Sequence, residues 1–308
     1  MPNFIHKPVM LTEVLAALRP RPDSLYADGT AGGAGHAAAI LAASSPTGRL
    51  FGCDRDGAAI EAATRRLAEY AGRFELRRGN FAELADWLAP GSADGVLLDL
   101  GVSSHQLDEA ARGFSFQRDA RLDMRMDDRQ ALTASDLINT WSEAALAKIF
   151  WELGDEPQGR RFARAIVTER QQHRIETTGQ LAGLIERAAS HRGKVHPATR
   201  VFMAVRMALN EENHSLQSGL AAACIVLKPG GRLAVITFCS TEDRVVKAFG
   251  REQTRDYEFD GEVDVPELRR PRAPSLRWVS RKAIQPSDTE VAENPRARSA
   301  QLRVLEKL

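Results

Sequence analysis

Short apolar runs and amphipathic stretches alternate over the first hundred positions of this chain. The apolar runs lie near 24–27, 49–53, 74–78 and 94–98. Between them, apolar positions recur at helical spacing and predict helices near 35–43, 57–70 and 81–88. This rhythm of strand and helix is typical of a parallel sheet with helices packed on its faces.

The rhythm stops after Ser104, and the following residues up to Glu212 contain only helical patterns. These patterns include SDLINTWSEAALAKIFWEL at 135–153, TGQLAGLIERAA at 178–189 and ATRVFMAVRMALNEE at 198–212. Since no convincing strand interrupts them, the stretch 105–212 is interpreted as an all-helical insertion.

The alternation resumes with a long helix through Ile225, a KPGG turn at 228–231 and the strand RLAVITF. We therefore expect an α/β fold with a doubly wound, mostly parallel sheet. Its core would consist of residues 1–104 and 213–308, with the helical insertion of residues 105–212 between them.

A glycine-rich loop follows the first apolar run, in the segment LYADGTAGGAGH at Leu25–His36. The run ends at Asp28, and an alanine-rich helical pattern starts directly after the loop. A strand, a glycine turn and a helix in this order let backbone N–H groups approach a ligand at the helix N-terminus. The loop does not spell G-x-G-x-x-G, and taken alone it is equally typical of a tight connection without a ligand.

Two further apolar runs also end in an acid, at Asp54 and Asp99. Acids at the ends of buried strands are costly unless they are paired or used, and parallel strands bring their carboxyl ends to one edge. An acid at the end of the second strand can accept both hydroxyls of a ribose, which indicates an adenosine-containing cofactor. Because the loop lacks the nicotinamide-type glycine pattern and a KPGG turn precedes the late strand, S-adenosylmethionine is favoured over a nicotinamide cofactor.

The composition and the residue counts argue against several classes of protein. The 308 residues are 43% hydrophobic with a formal net charge of +1, which allows a sizeable core and argues against a polyelectrolyte binder. No run of 18 apolar residues occurs, so we expect no membrane span. Three cysteines without a C-x-x-C pair and seven scattered histidines favour a cytoplasmic protein without a metal site. The oligomeric state stays open.

The tail from Pro266 to Leu308 is basic, with ten Lys and Arg against five Asp and Glu. Within it, Trp278 lies between Arg277 and Arg281. Basic residues around an aromatic ring suit a phosphate backbone with a stacked base. A surface strand with a packed tryptophan explains the same pattern equally well.

Taken together, the motifs of this chain closely resemble those of the MraW (RsmH) family of small-subunit rRNA methyltransferases, which share the class I methyltransferase (Rossmann-like) core. The matching segments follow the family's order over nearly the whole chain: HKPVMLTEVL at 6–15, DGTAGGAGH at 28–36, LLDLGVSSHQLDEAARGFSFQRDARLDMRM at 97–126, HPATRVFMAVRMALNEE at 196–212, LKPGGRLAVITF at 227–238 and NPRARSAQLRV at 294–304. The stretch around RGFSF and LDMRM is long and distinctive, so chance agreement is negligible.

The resemblance implies methylation of the exocyclic N4 of one cytidine in 16S rRNA, with S-adenosylmethionine as methyl donor. By position, the cofactor contacts would be Ala34, Gly35, His36, Asp54, Phe81, Asp99 and Gln106. Asp99, or a backbone carbonyl in the turn after it, would accept a hydrogen bond from the target amine. The alternatives are a packing or capping role for His36, a core position for Phe81 and a surface amide for Gln106.

The RNA would be held by the helical insertion, as the substrate-recognition domain, and by the basic tail. Arg112, Arg121 and Arg125 are candidates in the insertion, unless they pair with nearby acids. At two positions the chain departs from the family: Cys239 replaces a histidine, and Met203 replaces a glutamine. Two further functions therefore stay open, a cofactor-binding ribosome-assembly protein with weak catalysis and an amine methyltransferase that acts on DNA.

Overall fold

The computed structural model describes residues 8–190, 195–259 and 263–308. The first two residues of the matching segment at 6–15 lie outside this part. The chain divides into two compact units. The first comprises Met1–Gly101 and Ser215–Leu308, and the second comprises Val102–His214.

The nine strands of the described residues all lie in the first unit. In chain order they are β1 Leu25–Asp28, β2 Arg49–Asp54, β3 Phe74–Arg78, β4 Ala93–Asp99, β5 Leu227–Thr237, β6 Tyr257–Phe259, β7 Arg269–Pro271, β8 Leu276–Trp278 and β9 Gln301–Lys307. The α-helices are α1 Leu11–Leu18, α2 Gly35–Ala43, α3 Gly57–Arg66, α4 Leu84–Trp87, α5 Ser104–Asp108, α6 Ala134–Thr140, α7 Glu143–Glu152, α8 Gly159–Arg170, α9 Thr178–Ala188, α10 Ala198–Leu209, α11 Glu212–Val226, α12 Ser240–Gln253 and α13 Asp288–Glu293.

A seven-stranded sheet in the order β3-β2-β1-β4-β5-β9-β8 forms the centre of the first unit. The pairs among β1 to β5 are parallel, and β9 pairs antiparallel with both β5 and β8. The order turns at β1, with β2 and β3 on one side and β4 and β5 on the other. Open sheets of this kind bind ligands at the carboxyl ends of the strands beside such a switch point. The expected doubly wound, mostly parallel sheet is confirmed.

Helices cover both faces of this sheet because the strands are apolar on both sides. Tyr26 of β1 belongs to a buried cluster with residues of α1, α2 and α3. The next residue, Ala27, belongs to a separate cluster with residues of α4, α11 and α12. Successive residues of a strand point to opposite faces, so a fully buried strand contributes side chains to the clusters on both faces of the sheet. These two layers hold the carboxyl ends of the strands rigidly.

The second unit is helical and has its own core. Its buried side chains come from helices α6 to α10 and from the segment before them, and they include Leu137, Phe150, Phe162, Leu181 and Val205. The unit therefore contains a hydrophobic core of the kind expected of an independent domain.

Some predicted elements differ in their limits. The helix predicted over 135–153 is two helices, because Ser142 caps the second one by accepting a hydrogen bond from the N–H of Ala145 at 3.2 Å. The helix predicted over 57–70 ends at Arg66 and continues as a 3-10 turn at Ala68–Tyr70. The KPGG segment lies within β5, which bulges between the pairs Ala93–Leu227 and Gly95–Arg232. Gly230 takes the left-handed backbone, φ 79°, that this bulge requires.

The basic tail is part of the sheet. Its strand β9 lies between β5 and β8, and Trp278 of β8 packs against helix α12, where a Cβ on Gly250 would come within 2.0 Å of the indole ring. Arg303 lies over the same ring at 5.9 Å. Of the two explanations of the tail, the structure supports the surface strand with a packed tryptophan. Separately, in the residues described above, no helix has both the length and the apolar character needed to cross a membrane.

Candidate cofactor site at the carboxyl edge of the sheet

The glycine-rich loop is anchored to both neighbours of β1. The N–H of Gly29 donates to the carbonyl of Leu97 in β4 at 2.9 Å, and the N–H of Ala31 donates to the carbonyl of Cys53 in β2 at 2.9 Å. A Cβ on Gly29 would come within 2.7 Å of Phe81 Cβ and 2.5 Å of Leu98 Cδ2, so a larger residue here would displace its neighbours. The loop is thus held in one position at the carboxyl ends of β1, β2 and β4.

Helix α2 begins at this loop, and its N-terminus has the features of an anion site. Ala34 precedes the helix in the left-handed conformation, φ 56°, and contributes no capping side chain. Strained non-glycine backbone of this kind is often found at binding sites. Gly35 follows, and a Cβ there would come within 2.3 Å of the ring of Pro8. Since the first N–H groups of a helix have no partners within it, this end can bind a carboxylate.

Asp54, at the end of β2, holds the loop from the other side. One carboxylate oxygen accepts from the N–H of Gly32 at 2.9 Å, and the other accepts from the N–H of Asp56 at 2.9 Å. Burial raises the pKa of Asp54 to about 6, against the lowering effect of these backbone donors. Each carboxylate oxygen retains a second lone pair, so the group can still accept hydrogen bonds from a diol.

Asp28, Thr30 and Asp99 form a hydrogen-bonded chain across the ends of β1 and β4. The N–H of Asp99 donates to the hydroxyl of Thr30 at 2.7 Å, and this hydroxyl donates to Asp28 at 3.3 Å. Burial raises the pKa of Asp28, whose residue is 1% exposed, to about 6, and the neighbouring His36 offsets only part of this effect. Asp28 and Thr30 were not among the predicted site residues. Asp28 ends the buried strand β1, and Thr30 follows it after Gly29, which is the signal that the sequence offers for both.

His36 lies beneath Asp99. Its Nε2 is 3.6 Å from Asp99 Oδ2, and the residue is 6% exposed. Burial lowers the pKa of His36, but Asp99 and Asp28 outweigh it, so the pKa lies above its ordinary value. Within the described part of the chain, neither ring nitrogen of His36 nor Oδ1 of Asp99 has a hydrogen-bond partner. Buried polar atoms without partners are rare, and they mark a place where a polar ligand would be stabilised.

Phe81 closes the edge of the site next to the loop. It lies in a 3-10 turn at Phe81–Glu83 that Asn80 caps by accepting from the N–H of Ala82 at 3.1 Å. Its ring packs so closely that a Cβ on Gly29 or on Gly219 would clash with the side chain, at 2.7 and 2.2 Å. The half-buried ring is therefore fixed in place beside the strand ends, as a flat apolar wall requires.

The structure brings most of the predicted cofactor residues to this one edge. Within the first unit it places Ala34 and Gly35 in the loop, and His36, Asp54, Phe81 and Asp99 around it. The remaining predicted contact, Gln106, belongs to the second unit, in α5. There its side-chain oxygen accepts from the N–H of Ser103 at 3.0 Å, and its own N–H donates to the Ser103 hydroxyl at 3.2 Å.

The predicted RNA-contacting arginines of the insertion have mostly internal partners. Arg125 makes two 2.8 Å hydrogen bonds to Asp123, and Arg112 donates to the backbone carbonyl of Arg125 at 2.9 Å. Arg125 thus pairs with an acid, as the alternative interpretation expected, and both side chains stabilise the loop before α6. Arg121 is exposed, and its backbone bridges to Thr177.

The two positions that depart from the family lie in different units. Cys239 directly precedes α12, where Glu242 accepts hydrogen bonds from the N–H groups of Phe238 and Cys239 at 2.7 and 3.3 Å. Met203 is half-buried on α10. No group of three or more His, Cys, Asp or Glu side chains is placed to hold a metal ion in the residues that the structure covers.

Comparison with known proteins gives matches over the full length. The sequence profile of the MraW methylase family matches residues 3–308. Ribosomal RNA small subunit methyltransferase H of Symbiobacterium thermophilum is 49% identical over 99% of this chain and 97% of its own length. The protein of the same name from Geobacter sulfurreducens is 50% identical over 99% of this chain and 100% of its own. An rRNA methylase structure from Streptococcus thermophilus aligns over 99% of this chain and 98% of its own, with a TM-score of 0.45 and 12% identity.

Proposed function

This chain belongs to the MraW methylase family and is an S-adenosylmethionine-dependent methyltransferase, and on that premise we propose its acceptor. The proposed reaction transfers the methyl group to the exocyclic N4 of a cytidine in the 16S rRNA of the small ribosomal subunit. The single observation that carries the proposal at the level of the site is that His36 and Asp99 meet at the carboxyl edge of the sheet and that, in the described residues, the ring nitrogens of His36 and Oδ1 of Asp99 are buried without a hydrogen-bond partner.

The residues at this edge fit the cofactor group by group. The N–H groups at the start of α2, preceded by Ala34 and Gly35, suit the methionine carboxylate. Asp54 suits the ribose hydroxyls, and the ring of Phe81 offers a flat surface for the adenine. The carboxylate of Asp99 suits a cationic group. Gln106 stays a predicted contact that rests on the family pattern.

Asp99 is the group that we propose acts on the acceptor. The lone pair of a cytosine N4 is delocalised into the ring, so the amine is a weak nucleophile. When bound, S-adenosylmethionine supplies an electrophilic methyl on a sulfonium. Asp99 Oδ1 has no partner in the described residues and can accept the N4–H proton, first as a hydrogen bond and then outright. A backbone carbonyl of the following turn is the alternative acceptor.

Positioning supplies the larger part of the acceleration. Holding amine, methyl and sulfur in line is worth about 7–11 kcal/mol of the barrier. The rigid strand ends serve this purpose, because the Thr30 hydroxyl ties the backbone of Asp99 to Asp28. The target base must also leave its stack to reach the edge, at a cost of a few kcal/mol.

The second unit is the proposed recognition domain for the RNA. The segment before α6 carries an exposed cation, Arg121, whereas Arg112 and Arg125 are held by internal hydrogen bonds. An rRNA substrate also accounts for a cytoplasmic location, which we propose for this protein.

The experiment that tests the proposal uses labelled cofactor and small subunits that lack the modification. We expect one labelled cytidine in the 16S rRNA, and loss of labelling in an Asp99→Ala variant that still binds cofactor. Transfer to DNA or to another amine, with none to rRNA, would reject the proposed acceptor and favour the DNA-directed alternative.

A second candidate function is a ribosome-assembly protein with weak catalysis, suggested by Cys239 at the start of α12. Its test is Cys239→His, assayed beside the unchanged protein on the same subunits. A large gain in rate would favour the assembly protein. We expect the rate to stay within about twofold, because the site residues on the loop and strand ends are all present.

A further inference from the structure

One side chain of the C-terminal segment, Glu290, contacts the N-terminal segment that packs on the cofactor loop. Glu290 Oε1 accepts a hydrogen bond from the backbone N–H of Met10 at 2.6 Å, although the two residues lie 280 positions apart. Both residues belong to the first unit.

Glu290 is itself held in place by helix α13. The hydroxyl of Ser287 accepts from the N–H of Glu290 at 3.1 Å, so this helix begins with the pattern S-x-x-E. In a capping box the glutamate side chain turns back to the N–H of the serine. Here the carboxylate instead accepts from Met10, so the contact with the N-terminal segment takes the place of the capping-box bond.

Met10 needs this partner. It precedes α1 in the left-handed conformation, φ 53°, which is unfavourable for a residue with a side chain. Its side chain is fully buried, so its position cannot adjust without disturbing the core. Loss of the acceptor would leave a partly buried N–H without a bond, next to strained backbone.

Two residues before Met10, Pro8 packs directly on the cofactor loop. Its ring lies where a Cβ on Gly35 would be, 2.3 Å from that position. Gly35 is the first residue of α2, the helix whose N–H groups suit the methionine carboxylate. The contacts therefore run in order from Glu290 to Met10, to Pro8 and to Gly35.

We propose that Glu290 is a positioning residue for cofactor binding, acting by holding the segment 8–10 against the N-terminus of α2. This inference rests on the proposed use of that helix end. The carboxylate contacts neither the reacting atoms nor the loop itself. It acts by fixing the position of Pro8, against which Gly35 of the loop is packed.

Three substitutions of Glu290 separate the effect of side-chain length from the effect of charge. Glu290→Gln keeps the length and an acceptor oxygen but loses the charge. Glu290→Asp keeps the charge but is one methylene too short to reach Met10. Glu290→Ala loses both, and Asp288→Asn, on the exposed side of the same helix, is the control.

Calorimetry with S-adenosylmethionine measures the Kd of each full-length variant. We expect Glu290→Asp and Glu290→Ala to weaken binding about five- to twentyfold, with Glu290→Gln and Asp288→Asn within about twofold of the unchanged protein. In the methylation assay the KM for cofactor should rise by the same factor, while kcat at saturating cofactor stays within about twofold. Rescue by glutamine and an unchanged kcat would not follow from general destabilisation.

Binding by Glu290→Asp as tight as that of the unchanged protein would overturn the proposal. So would an equal loss in Glu290→Gln, because charge and not reach would then be the cause. If the unchanged protein itself does not bind the cofactor, the proposed function of the site fails instead, and the two failures are distinct. Should Glu290→Ala not fold, the comparison of the Gln and Asp variants alone decides.

Discussion

The acids at the strand ends combine two tasks in single side chains. Asp54 fixes the loop through the N–H groups of Gly32 and Asp56, and it keeps lone pairs for a ligand. Asp28 is almost fully buried and serves the backbone of its own turn through Thr30. Ionised carboxylates in such places reduce stability, and this cost is expected where a site is kept ready for a ligand.

Asp54→Ala tests the ligand-binding task at the residue scale. Removing hydrogen bonds from the ribose hydroxyls to a charged acceptor costs about 1.5–3 kcal/mol, so the Kd for S-adenosylmethionine should rise roughly ten- to a hundredfold. Calorimetry measures this change, with Asp86→Ala on the exposed face of α4 as the matched control. Unchanged affinity in Asp54→Ala would mean that the ribose lies elsewhere.

Asp28→Asn tests the cost of the buried charge. Folding raises the pKa of Asp28 to about 6, from about 3.9 in the unfolded chain. The folded protein thus holds the proton more tightly, and the stability that this group provides is lost as the pH rises from about 4 to about 6. Asparagine stays neutral, so the free energy of unfolding of the variant, relative to the unchanged protein, should increase by about 1–3 kcal/mol over this window.

Urea unfolding at pH 4 and pH 7 measures that difference. Asp23→Asn, on an exposed turn, controls for the change from acid to amide. A difference between Asp28→Asn and the unchanged protein that is the same at both pH values would show that Asp28 does not titrate with folding.

At the scale of elements, tight helix packing explains glycines that the sequence alone does not. Gly250 lies in α12 against Trp278, and a Cβ there would be 2.0 Å from the indole ring. Gly183 lies in α9, where a Cβ would meet only the far end of the Arg187 side chain, at 3.4 Å. Substitution by alanine should therefore change the free energy of unfolding in opposite directions at the two positions.

Glycine to alanine at both positions is a matched pair. Gly250→Ala should destabilise the protein by about 1–3 kcal/mol through overpacking, whereas Gly183→Ala should stabilise it by about 0.5–1 kcal/mol through helix propensity. Chemical denaturation of the two variants gives both values. A stabilised Gly250→Ala variant would contradict the observed contact between α12 and Trp278.

The sequence pattern predicted those elements whose signal is local. Strands β1, β2 and β4 are apolar runs that end in acids, and the loop between β1 and α2 is marked by its glycines. The break between α6 and α7 escaped prediction because the apolar spacing continues across Ser142. Strand β8 has three residues, and Trp278 gave two equal interpretations because its partner, Gly250, is distant in sequence.

In the site, Asp54, Asp99 and the glycine loop could be predicted from the sequence, because each directly follows or ends an apolar run. The family pattern was needed for Phe81 and His36, since a phenylalanine or histidine at such a position is more commonly a packing residue. The sequence marks Asp28 only as an acid at a strand end, and neither source indicates Thr30 or Glu290 as a site residue. Their roles depend on hydrogen bonds between segments that only the folded chain brings together.

At the scale of the whole molecule, the last strand completes the sheet of the first unit. Strand β9 pairs along its length with β5 and also carries β8. Its Arg303 forms a buried ion pair with Asp243 of α12, so the strand is fixed to a helix as well. The end of the chain therefore contributes to the same core as its beginning.

Deleting residues 301–308 should lower the thermal stability of the first unit, because β5 loses its partner β9 and Asp243 loses Arg303, one of its two cationic partners beside Lys247. Circular dichroism against temperature measures this, and deletion of the exposed Leu308 alone is the control. A truncated protein with the melting transition of the full chain would show that β9 is dispensable.

The most direct test of the central claim is a crystal structure of the protein with S-adenosylhomocysteine. The account predicts that the ribose hydroxyls donate to Asp54, that the amino-acid carboxylate lies at the first turn of α2, and that the sulfur faces Asp99. A nucleoside bound away from the carboxyl ends of β1, β2 and β4, or one that leaves Asp54 without a contact, would contradict it.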